Sequence, residues 1–163
     1  MSLKGWVYLL VSVAVVLSCA KVVDTTALSL PKGKIYAVAP FENYTDTPLA
    51  GYRVASMLEG ILRAKGYKVA DRVWEYPDKE PSREEIKNFL YKSLKKADYV
   101  FFGSVNEFRY KTGIDGEPAV SVSVFLMESS TGKVIGGSSL SASGWAHESL
   151  GTVLQELLRE AIK

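Results

Sequence analysis

A dozen uncharged apolar residues near the N-terminus divide this chain into a leader and a domain. Residues 6–17 read WVYLLVSVAVVL, with Lys4 before them and Ser18 and Cys19 after them. A run of this length fits the apolar core of a secretory signal, whereas a helix that crosses a bilayer needs about 20 such residues. We therefore predict that residues 1–18 are a signal peptide and take no part in the fold.

Cys19 is the only cysteine of the chain, and its position predicts how the protein is held in the cell envelope. The run Val16-Leu17-Ser18-Cys19 resembles the bacterial lipobox. In proteins with that signal the cysteine thiol receives diacylglycerol, a peptidase cuts before the cysteine, and the new amine is often acylated with a fatty acid such as palmitate. The resemblance implies lipid attachment at Cys19. Because Ala20 rather than Asp follows, it also implies an outer-membrane lipoprotein facing the periplasm, with the inner membrane as the alternative.

Two other interpretations of the N-terminus stay open at this stage. In one, the leader is cut elsewhere and Cys19 is a bystander. In the other, residues 5–20 remain attached as a tilted membrane anchor. The lipoprotein interpretation is favoured because the single cysteine falls at the one position where lipid attachment needs it.

Residue counts exclude several classes of function. Twenty Lys and Arg residues against 18 Asp and Glu give a net charge of +2, which is too balanced for the basic face of a nucleic-acid-binding protein. One cysteine and one histidine exclude a disulfide framework and a metal centre built from several Cys or His ligands. We expect no cofactor and no nucleic-acid partner.

The chain after the leader divides into a short linker and one domain. Residues 19–33 show no strong period and end in the sequence PKG, so we predict a lipidated cysteine followed by a linker. At ~3.3 Å per residue this linker reaches at most about 40 Å. The domain is predicted to span residues 34–163.

Alternating strand and helix patterns fill the domain. Strands are predicted from β-branched or alternating apolar runs at residues 34–40, 67–70, 97–111, 119–127 and 134–143. Helices are predicted from apolar stripes that begin at Thr47-Pro48, at the capping box of residues 82–85, and at Leu150. The fold class is therefore α/β. The prediction is a single mixed sheet that helices pack against, with two parallel βα units followed by an antiparallel three-strand meander. The order of the elements along the chain is β-α-β-α-β-β-β-α.

Four short motifs, in their order along the chain, resemble a superfamily of bacterial lipoproteins. They are VAPFEN at residues 38–43, GYKVADR at 66–72, the segment from ADYV to GSV at 97–105, and TGKV at 131–134. The superfamily contains the curli-secretion lipoproteins (CsgG-like), the penicillin-binding-protein activator lipoproteins (LpoB-like) and small periplasmic lipoproteins. The resemblance covers residue 35 to the C-terminus.

This resemblance implies a non-enzymatic interaction module that assists an envelope complex in secretion, transport or cell-wall assembly. It also implies other envelope proteins or lipoproteins, and further copies of the chain, as partners. No spare pair of alternating strands remains to build a membrane barrel, so we do not expect this chain to form a pore by itself. A ring-shaped oligomer would instead identify a subunit of a larger secretion channel. The short linker argues against activation of a distant wall synthase.

Residues able to carry catalysis are sparse. His147 is the sole imidazole, and the serines occur without a GxSxG motif, so no catalytic residue is predicted. The alternative hypothesis is a small-ligand binder or envelope enzyme, with a pocket where open α/β sheets place ligands, beyond the carboxyl ends of the parallel strands.

The predicted ligand or partner surface lies in the two loops that follow those strands. Its pocket members are Glu42, Asn43, Asp71 and Arg72. Phe41, Tyr44 and the turn at residues 112–118 are predicted to be exposed and available for contact with a partner.

Overall fold

The computed structural model describes residues 28–113 and 116–162, so the predicted leader, Cys19 and most of the predicted linker lie outside the described residues. The helices are α1 Ala50–Ala64, α2 Arg83–Leu94 and α3 Leu150–Ala161. The strands are β1 Ile35–Val38, β2 Glu42–Asn43, β3 Lys68–Val69, β4 Tyr99–Tyr110, β5 Pro118–Glu128 and β6 Lys133–Ser143. None of the helices in these ranges has both the length and the apolar character needed to cross a membrane.

The described strands form one mixed sheet in the order β3-β1-β4-β5-β6, and β2 pairs with the middle of β4. β1 is parallel to both β3 and β4, while β4, β5 and β6 form an antiparallel meander. The predicted α/β class and mixed sheet are confirmed. The structure adds β2, a two-residue strand in a segment that the sequence predicted as a loop. Two residues are too few to produce a recognisable period.

Helices cover the two faces of the sheet unequally. α1 and α3 pack their leucines against one face, where the alternating valines of β5 and the rings of β1 and β4 complete the main core. On the other face α2 covers a smaller cluster formed by Ala37, Ala39 and Val100, with Leu90 and Leu94 of the helix beside it. The outward side chains of β5 and β6 extend beyond this cover. Part of this second face is therefore left available for other contacts.

Helix α1 begins later than the sequence predicts. The expected N-cap, Thr47, makes no cap hydrogen bond; its hydroxyl donates to the carbonyl of Phe108 at 2.5 Å, and this contact fixes the position of the side chain. The helix begins at Ala50, after Leu49 in the left-handed conformation (φ 57°), and the Leu49 N–H donates to the carboxylate of Glu80 at 2.6 Å. A contact distant in sequence thus overrides a local capping signal. The capping box predicted for α2 at Ser82 and Glu85 is confirmed.

The domain extends further towards the N-terminus than predicted. Leu28 and Leu30 are buried in the main core, and the Leu28 N–H donates to the carbonyl of Ala161 at 2.8 Å. The Tyr36 hydroxyl donates to the carbonyl of Pro31 at 2.6 Å. Residues 28–33, predicted as linker, therefore pack against the domain.

Tyr36 makes the stability of the domain sensitive to high pH. Its ring is fully buried, and burial followed by the nearby Tyr67 and Tyr99 raises its pKa from 10.0 to about 12. The folded state therefore holds the phenol proton more tightly than the unfolded chain does. The resulting stability is fully present below pH 10 and is lost as the pH rises towards 12. We expect the free energy of unfolding to fall in this window by about 2 kcal/mol more in the wild type than in Tyr36→Phe.

Chemical denaturation at several pH values measures this difference. Tyr91→Phe is the matched control, because it removes the same hydroxyl group from a half-exposed tyrosine. Burial also raises the pKa of Tyr52 to about 12. Tyr52 is present in all three proteins, so its contribution cancels when their slopes are compared. Equal slopes for wild type and Tyr36→Phe would show that Tyr36 loses its proton as readily in the folded protein as in the unfolded chain.

Candidate functional site

A groove of about 520 Å³ lies between α2 and the sheet face that this helix only partly covers. Its apolar side is formed by Pro40 at the end of β1, Ile86 and Leu90 of α2, and the rings of Phe102 and Phe125. The two rings lie 5.5 Å apart between centroids because β4 and β5 pair Phe102 directly with Phe125. The groove therefore offers an aromatic floor beside an apolar helix wall.

Phe125 owes its exposure to the neighbouring strand. β6 places Gly137 opposite Phe125, and a Cβ at that position would lie only 2.7 Å from the Phe125 ring. The ring therefore lies over the glycine and remains 37% exposed. In the sequence, a phenylalanine among the serines of an alternating strand was the signal that this face carries an apolar patch.

Charged groups form the rim of the groove. The Tyr44 hydroxyl donates to the Glu42 carboxylate, and Arg83 donates to the Tyr44 oxygen at 3.4 Å. The Arg83 guanidinium also lies 5.5 Å from the centre of the Tyr44 ring. The hydrogen bond to Glu42 raises the pKa of Tyr44. This chain of contacts joins β2 to the first turn of α2 and places both charge signs beside the apolar floor.

The structure disperses the remaining residues of the predicted surface. Phe41 is buried in the core, so its predicted exposure is wrong. Its ring lies against the backbone of Gly103, where no side chain competes for the space. Asn43 shapes its own loop, because its amide donates to the carbonyl of Thr47 and its oxygen accepts from the N–H of Thr45. Tyr44 is exposed, as predicted.

Arg72 takes part in a different cluster. It donates to Glu59 of α1 at 2.5 Å and to the Ser56 hydroxyl at 2.8 Å, and it lies 4.5 Å from the centre of the Trp74 ring. Asp71 is exposed in the loop before it. Neither residue lines the groove that contains Glu42. The structure therefore does not gather the four predicted pocket members into one site.

The serine hydroxyls on this face of the sheet hydrogen-bond to amide or hydroxyl oxygens. Ser104, a serine that lines the groove, donates to the side-chain oxygen of Asn106 at 3.1 Å, and an amide oxygen is not a base that could activate a nucleophile. Ser121 and Ser141 hydrogen-bond to each other across β5 and β6. His147 lies exposed before α3. Within residues 28–113 and 116–162, no group of three Cys, His, Asp or Glu side chains is placed to hold a metal ion.

Comparison with known proteins gives a clear result only among solved structures. No protein-family model matches the sequence, and no curated protein matches it. PelC from Paraburkholderia phytofirmans, solved as a dodecamer in two crystal forms, is 33% identical over 84% of this chain and 91% of that chain. The TM-scores are 0.67 and 0.65. The chain belongs to the PelC family.

More distant structures show the fold alone. Lipoprotein GNA1162 from Neisseria meningitidis is 19% identical over 76% of this chain and 92% of that chain, with a TM-score of 0.50. The LpoB C-terminal domain from Salmonella enterica is 16% identical over 71% of this chain and 87% of that chain, with a TM-score of 0.46, which is too low to support an argument. The resemblance to small envelope lipoproteins that the sequence predicted is confirmed for the fold.

Proposed function

We propose that this protein is a lipid-anchored, non-catalytic component of the cell envelope that assembles with copies of itself into a closed ring. In this form it serves as an accessory module of a secretion or transport complex. The observation that carries the proposal is the 33% identity with a PelC that forms a dodecamer, over 84% of this chain and 91% of that chain. The lipobox at Cys19 supplies the anchor, and Ala20 favours the outer membrane.

A ring needs a surface through which each copy contacts the next. In a cyclic arrangement two different patches of the chain meet head to tail. β6 supplies one suitable patch, because it is the edge of the sheet and none of the described strands pairs with its outer side. A bulge near its start exposes two consecutive apolar residues, Val134 and Ile135, each 50% exposed. Exposed apolar strand edges favour pairing with another chain.

The groove beside α2 is the second patch of the proposed contact. Its aromatic floor is apolar and its rim holds Glu42 and Arg83, so it can receive an apolar edge and fix its orientation with hydrogen bonds. It lies over β4 and β5, apart from the outer edge of β6. The two patches therefore differ, as a head-to-tail ring requires.

The mass of the purified, lipidated protein in detergent tests the proposal. Native mass spectrometry should show one large closed assembly in the wild type and a shift to monomer in Ile135→Lys, because the lysine charge cannot be buried at a contact. Tyr91→Lys is the matched control, since Tyr91 is equally exposed but lies on α2 outside the groove lining. A wild-type protein that is monomeric at every concentration would contradict the ring. A ring that persists in Ile135→Lys would contradict the role of the β6 edge.

A further inference from the structure

Positive charge is concentrated at one end of the sheet. We call this the basal end and define it by the first residues of β1, β3 and β4, which the parallel register of these strands brings together. The last residues of the three helices belong to the same end. Exposed lysines at this end are Lys32, Lys34, Lys65, Lys68, Lys95 and Lys96. The turn from β5 to β6 adds Lys133, and the end of α3 adds Arg159.

The carboxylates of the basal end leave most of this charge unbalanced. Asp98 accepts from the Ile35 N–H at 2.8 Å, and Glu128 accepts from the Thr131 hydroxyl at 2.8 Å. Glu160 is exposed in the last turn of α3. Among the described residues of the basal end, three carboxylates thus stand against the eight cations just named, which leaves an excess of positive charge there.

Four of the lysines surround a single cleft. The cleft measures about 330 Å³ and is lined by Lys32, Lys34, Lys65 and Lys68, with Gly33 and Gly66 between them. Lys65 donates to the carbonyls of Arg159 and Ile162, and so stabilises the end of α3. Among the described residues no side chain pairs with Lys32, Lys34 or Lys68. Like charges held this close repel one another, so the cluster is not explained by the stability of the fold.

The chain enters the domain at this same end. Leu28 forms a bridge with Ile162 at the end of α3, and residues 31–34 run past the cleft into β1. Eight residues lie between Cys19 and Leu28, so the nine steps from one to the other span at most about 30 Å when extended. A lipid on Cys19 would therefore keep the basal end close to the membrane surface.

We propose that the basal end binds the anionic head groups of the membrane that holds the anchor. This inference rests on the lipid anchor of the proposed function. Lysines near an anionic surface are attracted to its phosphates, and a lipid chain together with a basic patch gives firmer and better oriented attachment than a lipid chain alone.

The opposite end of the domain strengthens the preference for one orientation. It carries carboxylates at the starts of the helices and in the neighbouring loops, among them Glu80, Glu84, Glu85 and Glu148. An anionic surface repels these groups while it attracts the lysines. In a ring each copy presents the same basal end, so the weak contacts of the individual copies add.

Vesicle sedimentation with a lipid-free chain separates this inference from the anchor. The protein used is residues 19–163 with Cys19→Ser, which cannot take a lipid and retains the whole core described above. We expect it to bind vesicles of phosphatidylcholine mixed with phosphatidylglycerol at least tenfold better than vesicles of phosphatidylcholine alone. Because exposed charges are screened by salt, about 0.5 M NaCl should remove the preference. Equal binding to the two vesicle types would overturn the inference.

Two charge-reversed triple variants locate the binding surface. Lys32→Glu/Lys34→Glu/Lys68→Glu should lose the preference for anionic vesicles by at least tenfold. Arg53→Glu/Lys79→Glu/Lys111→Glu changes the net charge equally, away from the basal end and outside the groove lining, and should keep it. Equal losses in both variants would show attraction by net charge alone and would overturn the inference. Displacement of the protein from anionic vesicles by millimolar inorganic phosphate would show a small-anion site and would also overturn it. Failure of the anchor is recognised separately, as a wild-type protein that carries no lipid.

Discussion

Gly51→Ala is expected to destabilise the domain by at least about 3 kcal/mol, a large part of the stability of an ordinary domain. Gly51 lies in the first turn of α1, where the helix meets the end of β1. A Cβ at this position would lie 1.9 Å from the carbonyl oxygen of Phe41 and 2.8 Å from its carbonyl carbon. Both atoms belong to backbone, and the Phe41 N–H also donates to the Gly51 carbonyl, so neither segment can move alone. The methyl group therefore forces α1 away from the sheet.

The same helix provides the control for this prediction. Gly60 lies in the interior of α1, and a Cβ there would have nothing within 4 Å. Gly60→Ala should therefore raise the free energy of unfolding by about 0.5–1 kcal/mol, because alanine loses less backbone entropy in a helix. Thermal and denaturant unfolding of the two variants should show changes in the free energy of unfolding that have opposite signs. A Gly51→Ala protein as stable as Gly60→Ala would show that α1 does not approach Phe41 this closely.

Much of the fold could be predicted because its elements carry their own local signals. β5 alternates valine with serine, so the pattern fixes which side chains enter the core, and the structure buries Val120, Val122 and Val124. The capping box fixes the start of α2 in the same way. At α1 the local signal failed, because Thr47 bonds to Phe108, which is 61 residues away. A single sequence holds no trace of such a contact.

The groove was harder to predict than the fold, for a physical reason. The sequence predicts loops by position along the chain, whereas the groove is defined by which helix covers which face of the sheet. Phe41 and Glu42 are neighbours in sequence, yet one enters the core and the other lines the groove. Arg83 and Phe125 come from a distant helix and strand that only the tertiary packing brings to the same place. Glu42 and Tyr44 were found because they lie in the loop that happens to border α2.

Cys19→Ser is expected to abolish lipid attachment completely and to leave the leader in place. The serine hydroxyl is not the thiol that receives diacylglycerol, and the peptidase of the lipobox pathway cuts only before the modified residue. Since Cys19 is the sole cysteine, no other sulfur can take over. Two or more acyl chains hold a protein on a bilayer almost irreversibly, so the wild type should remain with the membranes after a salt wash. Metabolic labelling with a fatty acid and mass spectrometry of the intact protein measure both effects.

Ser18→Ala is the matched control for Cys19→Ser, because alanine is also small and keeps the residue before the cleavage point acceptable. It should be labelled and processed like the wild type, to a mature chain that begins at Cys19 and carries lipid. A wild-type protein with a bare thiol, or one that still carries residues 1–18, would contradict the lipoprotein assignment. A bare thiol after cleavage elsewhere would indicate an ordinary secreted protein, and an intact leader would indicate a membrane anchor. In either case the basal end would no longer be held at a bilayer by a lipid on Cys19. The description of the fold and of the groove would not change, because it rests on residues 28–113 and 116–162.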